Sequence, residues 1–311
     1  MNRRQFLGLT GIVAGKVLAS APERALAADP PELSPDAVGV LVDTTRCIGC
    51  RKCEQACAER QKLPDRAFED MSVLNSPRRP DAGAYTVVNR YYPEYEAPGP
   101  CCDSPTYVKF QCMHCLDPAC ASACITGAMS KQLGGPVIYR VDRCIGCRYC
   151  MVACPFQIPA YEYNRALLPK VRKCTFCFEY ITKLPRDKGG LPACVQACPV
   201  EVMTFGKRTD LLDLARWKIK NNPGKYMDHI FGEHEVGGTS WLYLAPAPLE
   251  KLGFPHLGTK AAPRLTEAIQ HGVFQGFAGP LLLFGVLGGF MWLTGRKDEA
   301  DSDKGEKEDR S

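Results

Sequence analysis

The sequence predicts an α+β fold: two small modules, one nested inside the other, followed by a single C-terminal transmembrane helix. Three observations predict it. Sixteen of the 18 cysteines fall into four quartets, short apolar strands precede the quartets, and an uncharged run lies near the C-terminus.

The quartets are Cys47, Cys50, Cys53, Cys57; Cys112, Cys115, Cys120, Cys124; Cys144, Cys147, Cys150, Cys154; and Cys174, Cys177, Cys194, Cys198. The first and third read C-x2-C-x2-C-x3-C, the run that holds a [4Fe–4S] group in bacterial ferredoxins. In that run three thiolates surround one cube, and the fourth cysteine ligates the other cube of a two-cluster protein. The second and third quartets are neighbours in sequence, so they exchange their last cysteines, and the outer two then exchange theirs. The expected sets are Cys47, Cys50, Cys53 with Cys198 (cluster 1) and Cys174, Cys177, Cys194 with Cys57 (cluster 2). The inner sets are Cys112, Cys115, Cys120 with Cys154 (cluster 3) and Cys144, Cys147, Cys150 with Cys124 (cluster 4). This gives two nested bacterial dicluster ferredoxin-like modules and four [4Fe–4S] clusters. The inner module covers about 105–160, inserted in an outer one of 38–60 plus 170–205.

Pro155 and Pro199 supply the C-P ending of the run, whereas Ala58 and Ile125 depart from it. Structural zinc and disulfides also use cysteine pairs. Zinc, however, takes four ligands as two separated pairs, not three thiolates at two-residue gaps plus a fourth. The fourth quartet alone would suit zinc, and its company argues for iron. Cys101 and Cys102 belong to no quartet and are expected as loop thiols or a disulfide. No C-x-x-C-H occurs, so attached c-type haem is not indicated.

The body of the chain, 28–231, opens on a linker and the strand Val38-Gly39-Val40-Leu41-Val42. Tyr107 to Phe110 and Val137 to Val141 are the strands expected before the second and third quartets. Residues 58–106, rich in Pro, Asp and Arg, read as a long loop. Thr209 is the expected cap of a helix through Leu211, Leu212, Leu214, Ala215 and Trp217, stopped at Pro223-Gly224. Residues 232–272 read as an extended connector.

The N-terminus carries Arg3-Arg4, a modest apolar stretch and Ala25-Leu26-Ala27, which reads as a twin-arginine signal peptide over 1–27. That route exports folded proteins, so clusters can be built before export. Four basic residues and one acidic residue lie in the signal, and the formal charge of +5 falls to +2 without them. Nothing argues for nucleic acid. Val273 to Thr294 carries no charge and suits a helix across membrane lipid, which needs about 20 apolar residues. Trp292, Arg296 and Lys297 suit its cytoplasmic edge. The acidic tail 295–311 reads as disordered. The expected place is the periplasmic side of the inner membrane, with the tail in the cytoplasm.

No catalytic constellation appears. His114 lies within the second quartet and reads as a bystander to the thiolates. His271 and Gln275 stand at the membrane entrance, where contact with a quinone is a weaker alternative to a plain interfacial role.

Together the signal, the quartets and the C-terminal helix resemble the iron–sulfur electron-transfer subunit of hydrogenase-2 type membrane-bound [NiFe]-hydrogenases. Gln111-Cys112-Met113-His114-Cys115, Gly146 to Pro155 and Asp187 to Pro192 carry the likeness. The quartets are shared with formate dehydrogenase beta subunits and other molybdopterin oxidoreductases, the alternative family setting. The resemblance implies a non-catalytic relay. It takes electrons from a hydrogenase small subunit, itself paired with a large subunit, and delivers them to an integral membrane quinone-reacting subunit.

Overall fold

The computed structural model describes residues 34, 36–92, 104–185, 190–263 and 283–291. The chain divides into two units, Pro30–Pro263 and Met1–Asp29 with Arg264–Ser311. Of the second unit only 283–291 is described, and it is helical with its side chains exposed. Among the described residues no helix is long and apolar enough to cross a membrane. The expected signal peptide, acidic tail, Cys101, Cys102, His271, Gln275 and most of Val273–Thr294 lie outside the described residues.

In chain order, β1 (Val38–Asp43) leads to α1 (Lys52–Gln61), then β2 (Thr86–Tyr91) and β3 (Thr106–Gln111). The inner segment holds α2 (Ala119–Ser122), β4 (Met129–Lys131), β5 (Val137–Tyr139) and α3 (Tyr149–Ala153). After it come β6 (Ala160–Tyr161), β7 (Val171–Arg172), α4 (Phe178–Lys183), α5 (Ala193–Gln196), β8 (Met203–Lys207), α6 (Arg208–Asn221) and β9 (Trp241–Leu244). β1 is the middle strand of the one three-stranded sheet among them. It runs antiparallel to β8, with Val40 opposite Phe205, and parallel to β9, with Val40 opposite Trp241. The antiparallel pairs β2–β3, β4–β5 and β6–β7 complete the strands. The helices pack α1 against α5 and α2 against α3.

The apolar pattern explains the two faces of the sheet. α6 places Leu211, Leu212 and Ala215 on Leu41, Leu242 and Leu244. Leu211 and Ala215 are four residues apart, so they share one stripe of the helix. On the other face, Val40, Val42, Trp241 and Tyr243 join Phe176, Phe231 and several cysteines in the main core.

The structure corrects three expectations. Residues 86–91 are not loop. Val87 and Val88 are buried, and β2 pairs with β3 along Thr86 to Tyr91. The Pro- and Arg-rich composition masked this strand, because a buried cluster of charges holds it. Arg51 donates to the carbonyls of Ala67 (3.1 Å), Phe68 (3.1 Å) and Asp70 (2.8 Å) and to Glu54 (3.0 Å). Glu54 in turn accepts from Arg78 (2.6 Å) and from the Val88 amide (2.7 Å). The segment drawn as a connector also contributes a core strand. β9 is fully buried, and the unit reaches Pro263. Finally, α6 begins at Arg208 with no side-chain cap, and Thr209 instead bonds Asp210 (3.2 Å).

Asp43 ends β1 and ties it to α6. Its buried carboxylate accepts from Thr45 (2.6 Å), Lys218 (3.0 Å) and Tyr226 (2.8 Å). Burial pushes its pKa up, but those three partners outweigh it and hold the carboxyl below its ordinary value. Asp43→Asn therefore costs about 2 kcal/mol at neutral pH, the scale of hydrogen bonds to a charged group. Because the folded pKa is lowered, the gap between wild type and variant is constant well above about pH 3.9 and narrows below it. Unfolding midpoints of both proteins between pH 8 and pH 5 should differ by a constant amount.

Candidate metal centres

All four cysteine loops are bent in the same way. The residue before the second cysteine is left-handed in each: Gly49 (φ 70°), His114 (φ 49°), Gly146 (φ 75°) and Phe176 (φ 60°). A second left-handed residue lies three positions after Cys124, Cys154 and Cys198, at Gly127 (φ 63°), Gln157 (φ 51°) and Glu201 (φ 50°). Such a conformation costs a non-glycine residue about 1–2 kcal/mol, so surrounding packing must enforce it. His114 shows how. It is completely buried, its Nδ1 accepts from the Val137 amide (3.0 Å), and its ring meets Phe176 edge-on at 4.8 Å. Burial and three nearby lysines keep its pKa far below the ordinary value, so it stays neutral. It anchors the loop to β5.

These bends gather the thiols into four groups, each with one member from a distant segment. Cys47, Cys50, Cys53 and Cys198 line one cavity. Cys57, Cys174, Cys177 and Cys194 line a second. Cys115 has Cys112, Cys154 and Cys120 as neighbours. Cys150 has Cys124, Cys144 and Cys147. The helix pairs bring the distant members in. α1 carries Cys57 to α5, which carries Cys194, and the packing of α2 on α3 sets Cys124 and Cys154, just beyond their C-terminal ends, beside each other's group. All sixteen are free thiols.

Burial dominates the chemistry of these groups. It pushes the Cys47 and Cys150 thiols up to about 11 and those of Cys120 and Cys174 to about 12, with neighbouring thiols adding to it. Cys124 and Cys144 differ. For Cys124, burial is outweighed by the Met129 amide (3.4 Å) and the Thr126 hydroxyl (3.7 Å), and its pKa falls. Cys144 is lowered in the same way by Tyr139 and the amides of Val171 and Gly146. Four crowded thiols ionise together only round a cation, and a coordinating metal deprotonates a thiol outright.

Two further observations suit an anionic multi-iron group. Lys109 is 4% exposed, lines both of the first two cavities, and forms no ion pair with a carboxylate among the described residues. Burial lowers its pKa, but Cys194, Cys53, Tyr243 and Cys174 outweigh this and raise it. An unpaired buried ammonium is expensive, and thiolate sets on either side of it offset that cost. Trp241, whose ring lines the second cavity, has a buried Nε1 donor with no acceptor. Lys131 and Lys173 stand near the third group. Lys131 donates to the Cys115 carbonyl (2.8 Å), and Lys173 to the Val137 (2.6 Å) and Cys174 (3.0 Å) carbonyls. For Lys131 burial prevails over the neighbouring thiols and brings its pKa down to about 8.

A family model described as a 4Fe-4S dicluster domain matches residues 104–208, which hold the second, third and fourth quartets. The Hydrogenase-2 operon protein HybA of Escherichia coli O157:H7 is 33% identical across 98% of this chain and 98% of its own. The chain belongs to this family of iron–sulfur subunits. The family extends to the nitrate-inducible formate dehydrogenase iron–sulfur subunit of Escherichia coli K12, 31% identical over 86% of this chain and 88% of that one. A protein of Nitratidesulfovibrio vulgaris Hildenborough is 48% identical over 86% of this chain and 70% of its own.

Sequence reasoning did not single out Lys109, Lys173 or Trp241. A lysine inside the apolar strand Tyr107 to Phe110 is the one signal that pointed to the first.

Gly49 tests the loop geometry. A Cβ there would fall 2.4 Å from the Tyr107 ring at φ 70°, whereas one at Gly134 meets nothing within 4 Å. Gly49→Ala should lose at least about 1–2 kcal/mol in denaturant unfolding, with Gly134→Ala close to wild type.

Proposed function

We propose that this chain is the electron-transfer subunit of a membrane-bound [NiFe]-hydrogenase complex, holding four [4Fe–4S] groups in a row. A [4Fe–4S] group supplies a one-electron couple. The observation that carries the proposal is the adjacency of the four thiol groups. Cys53 of the first neighbours Cys194 of the second, Cys174 of the second neighbours Cys112 of the third, and Cys120 of the third neighbours Cys150 of the fourth. The row reaches the surface at both ends. Cys147 in the fourth group is exposed, and Ile48, between Cys47 and Cys50, is 55% exposed. In this reading the ligand sets are Cys47, Cys50, Cys53, Cys198; Cys57, Cys174, Cys177, Cys194; Cys112, Cys115, Cys120, Cys154; and Cys124, Cys144, Cys147, Cys150.

The chain's own residues fix and insulate these sets. Phe176 and Trp241 meet edge-on, and with the buried Tyr243 they belong to the apolar core that takes in cysteines of the first three groups. Amide donors from Phe176 (3.4 Å), Ala193 (3.5 Å) and Val202 (3.3 Å) meet the sulfurs of Cys174, Cys177 and Cys198. Such bonds favour the thiolate and help set potential. The near full-length match to HybA supports the hydrogenase setting over the formate dehydrogenase one. Arg3-Arg4, Ala25-Leu26-Ala27 and Val273–Thr294 support export and anchoring on the periplasmic face, with a quinone-reacting membrane subunit as the electron acceptor.

The test is anaerobic purification of the full chain from its native membranes in detergent. About sixteen irons per chain, broad absorbance near about 400 nm, reduced-cluster EPR signals and a co-eluting [NiFe] subunit are expected. A molybdopterin subunit in its place overturns the hydrogenase assignment, and absence of iron overturns the whole proposal. Exchange of the fourth cysteines predicts that Cys57→Ser and Cys194→Ser perturb the same EPR signal. Cys53→Ser should perturb a different one.

A further inference from the structure

Lys109 stands between the two outer thiol groups in a way that ligand assignment alone does not explain. Its side chain borders the cavity of Cys47, Cys50, Cys53 and Cys198 and also that of Cys57, Cys174, Cys177 and Cys194. The ammonium is held in place. Nζ donates to Gln111 Oε1 (2.8 Å) and lies 4.5 Å from the centre of the Trp241 ring. Gln111 Nε2 donates to the Tyr243 hydroxyl (2.6 Å), which donates to the Lys109 carbonyl (2.8 Å). The partners are neutral: an amide, an indole and a phenol. The positive charge is therefore not spent on a carboxylate among the described residues, and the surrounding side chains keep water away. In such an interior a unit charge acts over several ångströms with far less attenuation than in water.

We propose that Lys109 is a shared counter-cation that raises the reduction potentials of the two outer centres together. The inference rests on the cluster assignment above. Each reduction adds one electron, and so one negative charge, to a set already made anionic by four thiolates. A fixed cation beside that set stabilises the reduced form more than the oxidised one, and net charge is among the determinants of cluster potential. Because the same ammonium faces both sets, its removal acts on both. The third group has Lys131 and Lys173 as its nearby cations instead. Lys109 is not a ligand. It acts through the sulfurs of Cys53, Cys174 and Cys194.

The experiment is an EPR-monitored redox titration of the holoprotein in its complex, comparing wild type with Lys109→Met, Lys109→Arg and Gln111→Glu. Lys109→Met removes the charge and keeps the bulk. Gln111→Glu leaves the lysine and pairs it with a carboxylate. Both should move the midpoints of two centres to more negative potential and leave the other two at their wild-type values. Lys109→Arg should keep all four near wild type. The proposal is overturned by wild-type midpoints in either neutralising variant that retains its iron, or by equal shifts of all four centres. Loss of iron from both neutralising variants also overturns it, since Lys109 would then be a folding element. A wild-type protein without any cluster signal would sink the cluster assignment itself, a result distinct from these.

Discussion

Fifteen of the sixteen quartet thiols are buried or half-buried in one small body, and the energetics of that crowding organise everything else. A thiol in a dry core resists ionisation, and a neighbouring thiolate makes it harder still. Cys57, Cys115 and Cys53 are all pushed upward for this reason. A cationic core relieves that cost, which is the general route by which metal binding couples to folding. The local backbone follows from that demand. Left-handed bends recur at the same place in each loop, on Gly49 and Gly146 and equally on His114 and Phe176. Short helices of four or five residues, such as Ala119–Ser122 and Tyr149–Ala153, would not persist alone. They exist because they pack against each other, each leading into the cysteine, Cys124 or Cys154, that joins the other segment's group.

Charge is managed by position more than by number. Arg51, Glu54 and Arg78 satisfy one another and hold the segment after α1 to the body. Lys109, Lys131 and Lys173 use neutral acceptors and stand beside the thiols. The first arrangement is structural, because each charge has its opposite in contact. The second leaves positive charge unspent where anionic groups belong. The contrast explains why buried lysines here are informative and buried arginines are not.

The nested order of the chain suits a row of centres. β1 enters first, yet its partners β8 and β9 arrive only after the inner segment is complete. The outer groups are closed by Cys198 and by Cys57 with Cys194, residues far apart in sequence, and the inner groups are closed locally. The most distant joins therefore lie in the first two thiol groups, and the most exposed thiol, Cys147, lies in a locally built one.

The sequence by itself determined the four quartets and the strands leading into them. The physical reason is that ligand spacing is a local property, written in a few consecutive residues. It also carried the family likeness. Only the tertiary structure decided which thiol groups adjoin, the burial of Lys109 between two of them, and the places of β2 and β9 in the core. Thr86 to Tyr91 sits in a stretch whose prolines and charges read as loop, and its pairing depends on Glu54, more than thirty residues earlier. Trp241 to Leu244 is apolar in a glycine- and proline-punctuated segment, and nothing local says that it lies parallel to β1. Long-range pairing and burial depend on which segments meet, and no single stretch of sequence contains both partners.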